Sequence, residues 1–169
     1  FPAVALSRSL VRRGAKVLPI GREDICEIYH ILSALEGLAA RSSAAREDRT
    51  EKLGDIVELL DRADAALDAG DIETWAVLDD RFHRWLAARS GNSRLEADIV
   101  GFLDQVYRAN SVLLRLNKAP ASNAADHRRL HQAIVAGAED VAAEIARLHR
   151  LNGLTRMKAL LDSCGLSQV

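Results

Sequence analysis

Apolar side chains in this 169-residue chain recur three and four positions apart from Gly21 almost to the end, a spacing that belongs to amphipathic helices and to little else. Six stretches carry it. The first, 22–45, puts Ile25, Ile28, Leu32, Leu35 and Ala39 on one stripe. The second, 48–69, does the same with Leu53, Ile56, Leu60, Ala63 and Leu67, and Gly70 ends it, with Asp71 placed to cap the next. A third runs over 71–89 to the break Ser90-Gly91-Asn92. Asn92 is set to cap the fourth, 93–117, whose stripe is Leu95, Ile99, Phe102, Val106, Leu113 and Leu116. Pro120 to Asn123 interrupts the chain before a fifth helix at 123–136. Gly137 then turns it into a sixth at 139–162, with a weak point at Gly153. Links this short make each helix the antiparallel neighbour of the next. Aromatics are only 4% of the chain, which removes the residues that strands prefer. The fold class expected is all-α, an antiparallel bundle of six helices in one domain.

Several classes drop out at once. No apolar run approaches the ~18 residues of a membrane span. The opening Phe1–Leu6 is too short for a secretory core and has no basic residue ahead of it. Cys26 and Cys164 stand far apart and read as reduced thiols, so a cytoplasmic location is expected. The formal charge of −1 is uneven: residues 1–20 hold Arg8, Arg12, Arg13 and Lys16 and no acid, leaving 19 basic and 24 acidic residues, a net of −5, for the rest. A body of that sign does not grip phosphates by itself. The basic opening is broken by Gly14 and looks extended over Ala15–Leu18, as an edge strand or a linker would.

Polar residues within the apolar stripes are the informative conflict. On the third helix, Trp75, Leu78, Phe82 and Leu86 mark the inward side, and Asp79 and His83 share it one turn apart. A carboxylate turned inward has to be paired or metal-bound, so Asp79 and His83 form either a local ion pair or half a metal site. On the fifth, His127 runs with Leu130, His131 and Ile134; on the sixth, His149 runs with Val141, Ile145 and Leu148. His127 and His149 each lie eleven residues from Ala138 at the bend. In an antiparallel hairpin they are therefore level, roughly 16 Å from the turn. Imidazoles with one carboxylate suit zinc, nickel, iron or manganese rather than calcium. Hydrogen-bonded core histidines remain the alternative on spacing alone.

These residues also carry a resemblance. Asp79-Asp80-Arg81-Phe82-His83 followed by Ser90-Gly91-Asn92-Ser93-Arg94-Leu95 resembles the D-x-x-F-H…S-G-N-x-x-L signature of the FCD domain. That is the effector-binding domain of FadR-branch GntR-type bacterial transcription regulators. Asp126-His127-Arg128-Arg129-Leu130 through Gly137, with His149 further on, is similar to the second half of the pattern, and Glu23-Asp24-Ile25 with Leu35–Ala40 to its first helix. The resemblance implies a bundle of six or seven helices with a central ligand and metal cavity; six helices lean toward the VanR-like subgroup. It implies that Asp79, His83, His127 and His149 hold a divalent metal ion, zinc foremost, with nickel, manganese or iron as alternatives. It further implies a small organic-acid effector, a homodimer and operator DNA bound through an N-terminal winged helix-turn-helix.

By this reading residues 1–20 are a remnant of that domain's wing and linker, with Arg8, Arg12, Arg13 and Lys16 as phosphate contacts, and 21–169 is the effector-binding and dimerisation domain. Two departures stand out. The position where many relatives carry an effector-facing arginine is Leu32, and the Gly-Asp usual before the last helix is Gly137-Ala138, leaving Glu139 or Asp140 to cap. Arg108 and Asn110 on the fourth helix and His131 on the fifth are the effector contacts to test, against a solvated helix face for Arg108. A regulator rather than an enzyme is expected. The rivals are a helical metalloenzyme, a hydrolase or lyase with Glu36 as its nearest spare carboxylate, and a metal-free dimerisation bundle.

Overall fold

The computed structural model describes residues 19–51, 54–115 and 124–169. Over these it is all-helical, with six helices in chain order: α1 (Arg22–Ala45), α2 (Gly54–Asp68), α3 (Ile72–Arg89), α4 (Ser93–Arg115), α5 (Ala124–Val135) and α6 (Glu139–Cys164). Arg8, Arg12, Arg13 and Lys16, the extended stretch at 15–18 and the break at 120–123 lie outside the described residues.

The ends form where local chemistry provides for them. The Asp71 carboxylate accepts from the Thr74 amide at 3.0 Å, and the Asn92 side-chain oxygen accepts from the amides of Arg94 and Leu95. Gly70 and Gly137 take φ of 69° to turn the chain between helices. Two expectations shift. Residues 48–51 make a turn instead of the first turn of α2, with the Glu51 amide donating to the Asp48 carbonyl and Arg46 held by the Asp48 carboxylate. Neither Glu139 nor Asp140 caps α6 through its side chain; Ala138 occupies the cap and the two acids sit in the first turn, where the helix dipole favours them.

Packing follows the hairpin rule only in part. α2 with α3, α3 with α4 and α5 with α6 are neighbours, but α1 packs along α6, with α3, α4 and α5 on its other sides. α1 is thus the central helix and α6 its antiparallel partner. Arg22 pairs with Asp162 at one end of the α1–α6 pair and Arg41 with Asp140 at the other. The carboxyl-terminal tail closes the first end: the Ile20 and Val169 backbones exchange hydrogen bonds, and the Arg22 amide donates to the Ser167 carbonyl. Gly153, expected as a weak point, lies inside a continuous α6. A side chain there would meet the Tyr29 ring at 3.2 Å, so the glycine lets two helices approach closely.

The main core joins Leu32, Phe82, Leu86, Ile99, Ile134, Met157 and Leu161 from five helices. A smaller one, with Trp75, Ala76 and Leu78 against Ala63 and Ala66, holds the α2–α3 hairpin. The inward stripe of α6 differs from expectation. Val141 and Leu148 are 54% and 43% exposed, whereas Ala142, Ala146, His149, Arg150, Leu154, Met157 and Leu161 are buried. In the first half of α6, where Gly37 comes against the Ala143 carbonyl, alanines take the inner face and Val141 and Leu148 stay outside; Leu154, Met157 and Leu161 fill the core farther along.

Candidate metal centre

Three helices aim four side chains at one interior point. α3 supplies Asp79 and His83, α5 supplies His127 and α6 supplies His149. One ligand atom from each falls within 4.8 Å of all the others. The Nε2 atoms of His127 and His149 are 3.2 Å apart; Asp79 Oδ1 lies 3.5 Å from His127 Nε2 and 3.9 Å from His83 Nε2. Two ligands bonded to one ion at ~2.1 Å are about 3.0–3.4 Å apart, so small side-chain movements bring this set into coordination range. The histidines are buried, and Asp79 keeps 21% of its side chain exposed.

Phe82, beside His83 in the sequence, has a part in this. Its ring stacks on His127 with centroids 4.1 Å apart and meets His83 edge-on at 5.6 Å. The aromatic of the D-x-x-F-H pattern therefore fixes the plane of a histidine on another helix.

Two charged residues complete the surroundings. Glu36 on α1 is 1% exposed and Arg150 on α6 is 4% exposed. Arg150 donates from Nε and Nη2 to the two Glu36 oxygens at 2.7 and 2.5 Å. Glu36 Oε2 is also 3.1 Å from His83 Nδ1. Glu36 was legible only as the nearest spare carboxylate, and Arg150 was missed. Its signal was its place in the alanine stripe of α6, at the four-residue interval of Ala142 and Ala146.

Burial alone would raise the Glu36 carboxyl, but the charge of Arg150 and the contact with His83 overcome it and hold Glu36 far below the usual carboxylate range. Asp79 goes the other way, raised by burial against the pull of His83 and Arg150. Tyr29, packed nearby, is pushed up by burial to about 12. His127 and His149 are held well below the ordinary imidazole range, first by burial and then by the neighbouring imidazoles and Arg150.

This has a sign. In the metal-free protein the fold resists protons that the unfolded chain accepts near pH 6.5. The stability contribution of neutral His127 and His149 is therefore present above that pH and declines below it. The loss is bounded by about 1.4 kcal/mol per histidine per pH unit. Urea midpoints measured with chelator present should fall between pH 7.5 and 5.5; equal midpoints would mean that both rings take protons inside the fold.

The structure places the three effector residues differently. Asn110 lines a small cavity, about 10 Å³, with Asp79, His83, Val106, Tyr107 and Arg150, and its Oδ1 is buried without a hydrogen-bond partner. Arg108 is exposed and does not line that cavity. His131 is half-buried, its ring 6.2 Å from the Trp85 ring, and is also absent from the cavity wall. Leu32 is fully buried in the core, and Arg150 brings a guanidinium to the cavity from α6.

Fold and site together define an all-helical module built around a buried histidine–aspartate cluster. The family model described as the FCD domain matches residues 27–152, and the chain belongs to the FCD domain family. It is also similar to an uncharacterized HTH-type transcriptional regulator in the TAR-I ttuE-ttuC' intergenic region of Agrobacterium vitis, 38% identical over 86 residues, 49% of this chain and 50% of that relative. The chain thus spans about half the length of the curated relative it matches.

Proposed function

We propose that residues 21–169 form the effector-binding and dimerisation domain of a ligand-responsive transcription regulator, and that residues 1–20 lead from an N-terminal winged helix-turn-helix that binds operator DNA. Family membership and the regulator relative support this reading. The observation that carries the sensing role is the convergence of Asp79, His83, His127 and His149 beside a cavity. These four would hold a divalent metal ion, zinc before nickel, manganese or iron, and the ion would offer its remaining positions to the carboxylate of a small organic acid.

The donor set fits such an ion: three imidazoles, of which burial keeps those of His127 and His149 free of protons, and one carboxylate. In this state the cavity has room for about one water molecule. An organic acid is several times larger, so its binding requires a change in packing among α3, α4 and α6. Differential affinity for two packings is what moves attached DNA-reading domains, within a homodimer matched to a palindromic operator. A cytoplasmic location accords with this role, and no helix among the described residues is long and apolar enough to cross a membrane. The count of six helices among the described residues is what supports the VanR-like subgroup.

The metalloenzyme rival needs a general base poised near neutrality. Glu36, the carboxylate proposed for that role, is locked by Arg150 far below that range and does not line the cavity. Thermal-shift measurements with a panel of small hydroxy, keto and dicarboxylic acids test the reading. At least one acid should stabilise the metal-loaded protein, and chelator should abolish that effect. Turnover of esters or amides, or stabilisation that survives chelation, would overturn it.

A further inference from the structure

A neutral imidazole ligates through one nitrogen only when the proton sits on the other, so a metal-binding histidine needs an acceptor behind it. The cluster places a carboxylate on that side of two of its three rings. His83 turns Nε2 toward Asp79 Oδ1 at 3.9 Å and Nδ1 toward Glu36 Oε2 at 3.1 Å, so its two nitrogens face an inner and an outer carboxylate. His149 has a looser counterpart: Nε2 is 3.2 Å from His127 Nε2, while Nδ1 lies 3.7 Å from Asp126 Oδ2, just beyond hydrogen-bond length. Both Nδ1 atoms are buried with no closed hydrogen bond, each with a carboxylate as its nearest charged neighbour on that side. We infer that Glu36 and Asp126 are positioning residues of the centre, each placed to draw the proton of a histidine on a different helix to Nδ1 so that its Nε2 lone pair faces the shared point. This rests on the metal reading above.

The two carboxylates are held differently. Glu36 belongs to α1, and its oxygens are held by two donors of Arg150 on α6, independently of the four inner side chains. Asp126 stands in the first turn of α5, directly before the ligand His127, yet it serves His149 on the neighbouring helix. The doublet Asp126-His127 thus supplies one inner ligand and one outer acceptor to two different rings. His127 is oriented by the Phe82 stack instead. The inner set draws on α3, α5 and α6; the outer set adds α1, the central helix.

Glu36→Gln and Asp126→Asn keep the shape of each side chain and weaken it as an acceptor. Zinc affinity by chelator competition should fall about 10–100-fold in each variant with one ion per chain retained, and the visible spectrum of the cobalt-substituted protein should change. A second readout needs no metal. Nitrogen-15 spectra of the histidine rings in metal-free protein at pH 8 should show the Nδ1–H tautomer for His83 and His149. Glu36→Gln should mix tautomers at His83 alone, and Asp126→Asn at His149 alone. Affinities within twofold of the parent, or tautomers unchanged in both variants, would overturn the assignment. If Glu36→Gln does not fold with Arg150 unpaired, Asp126→Asn decides the matter by the same two measurements. A parent protein that binds no metal would sink the ligand reading, while the tautomers would still test the two carboxylates.

Discussion

His127→Ala and His149→Ala should each abolish stoichiometric metal binding and, with it, the heat stability that metal confers. An ion that binds only the folded chain stabilises it by about 2.7 kcal/mol at a hundredfold excess over Kd. For a domain of this size that corresponds to a rise of roughly 5–10 °C in Tm. The parent protein should therefore melt higher with zinc than with chelator, and both variants should melt at one temperature in either condition. The comparison within each variant matters, because His127 is 3% exposed and stacked on Phe82, so its removal also leaves a void that lowers the metal-free Tm. Asp79→Asn removes the only anionic ligand with little change of volume and should show the same loss. Metal content has to be measured on protein purified without a nickel column. Full stoichiometric metal in both histidine variants would refute the ligand set.

The convergence of Asp79, His83, His127 and His149 is legible in the sequence because a helix advertises its inward side. Asp79 and His83 stood among Trp75, Leu78 and Phe82, and the equal spacing of His127 and His149 about Ala138 put them level across a hairpin. The same method misread α6, where Val141 and Leu148 seemed the buried stripe and are exposed. Hydrophobicity ranks side chains by transfer energy, but the α1–α6 junction selects by size. Gly37 lies against the Ala143 carbonyl and Gly153 against Tyr29, an approach that only small residues permit. Reading the larger aliphatics as the core shifted the stripe and hid Arg150. The pairing of α1 with α6 was not legible either. It joins residues 99 to 140 positions apart at its two ends, and amphipathic patterns state that a face is buried without naming its partner.

Glu36 and Arg150 show how such a junction can carry a signal. One side-chain pair links the central helix to the helix that bears His149, touches His83 on a third, and places a guanidinium at the cavity wall. On the proposed sensing reading, a ligand carboxylate arriving there would meet Arg150 already committed through Nε and Nη2, with Nη1 outside that pair. Binding at the cavity, on that reading, and packing along α1–α6 would thus involve the same side chain, which is the physical link a switch between two packings needs.

Arg150→Met should therefore be among the most destabilising substitutions in the chain. The methionine fills much of the space, but Glu36, 1% exposed, is left as a buried anion with only His83 beside it. Breaking a buried pair from one side costs about 3–5 kcal/mol, equivalent to a Tm lower by roughly 6–20 °C. The double variant Glu36→Gln with Arg150→Met removes both charges and should recover most of that loss, because an uncharged pair of similar volume carries no orphaned ion. The pH dependence separates this account from simple loss of packing. In the parent, Arg150 keeps Glu36 ionised far below the usual range, so the pair's contribution persists as the pH falls from 7 to 4. Without Arg150, burial raises the Glu36 carboxyl and the folded variant takes up a proton in that interval, relieving its own penalty. The gap in urea midpoint between parent and Arg150→Met should shrink steadily on acidification. A gap that stays constant from pH 7 to 4 would mean that Arg150 contributes through packing alone.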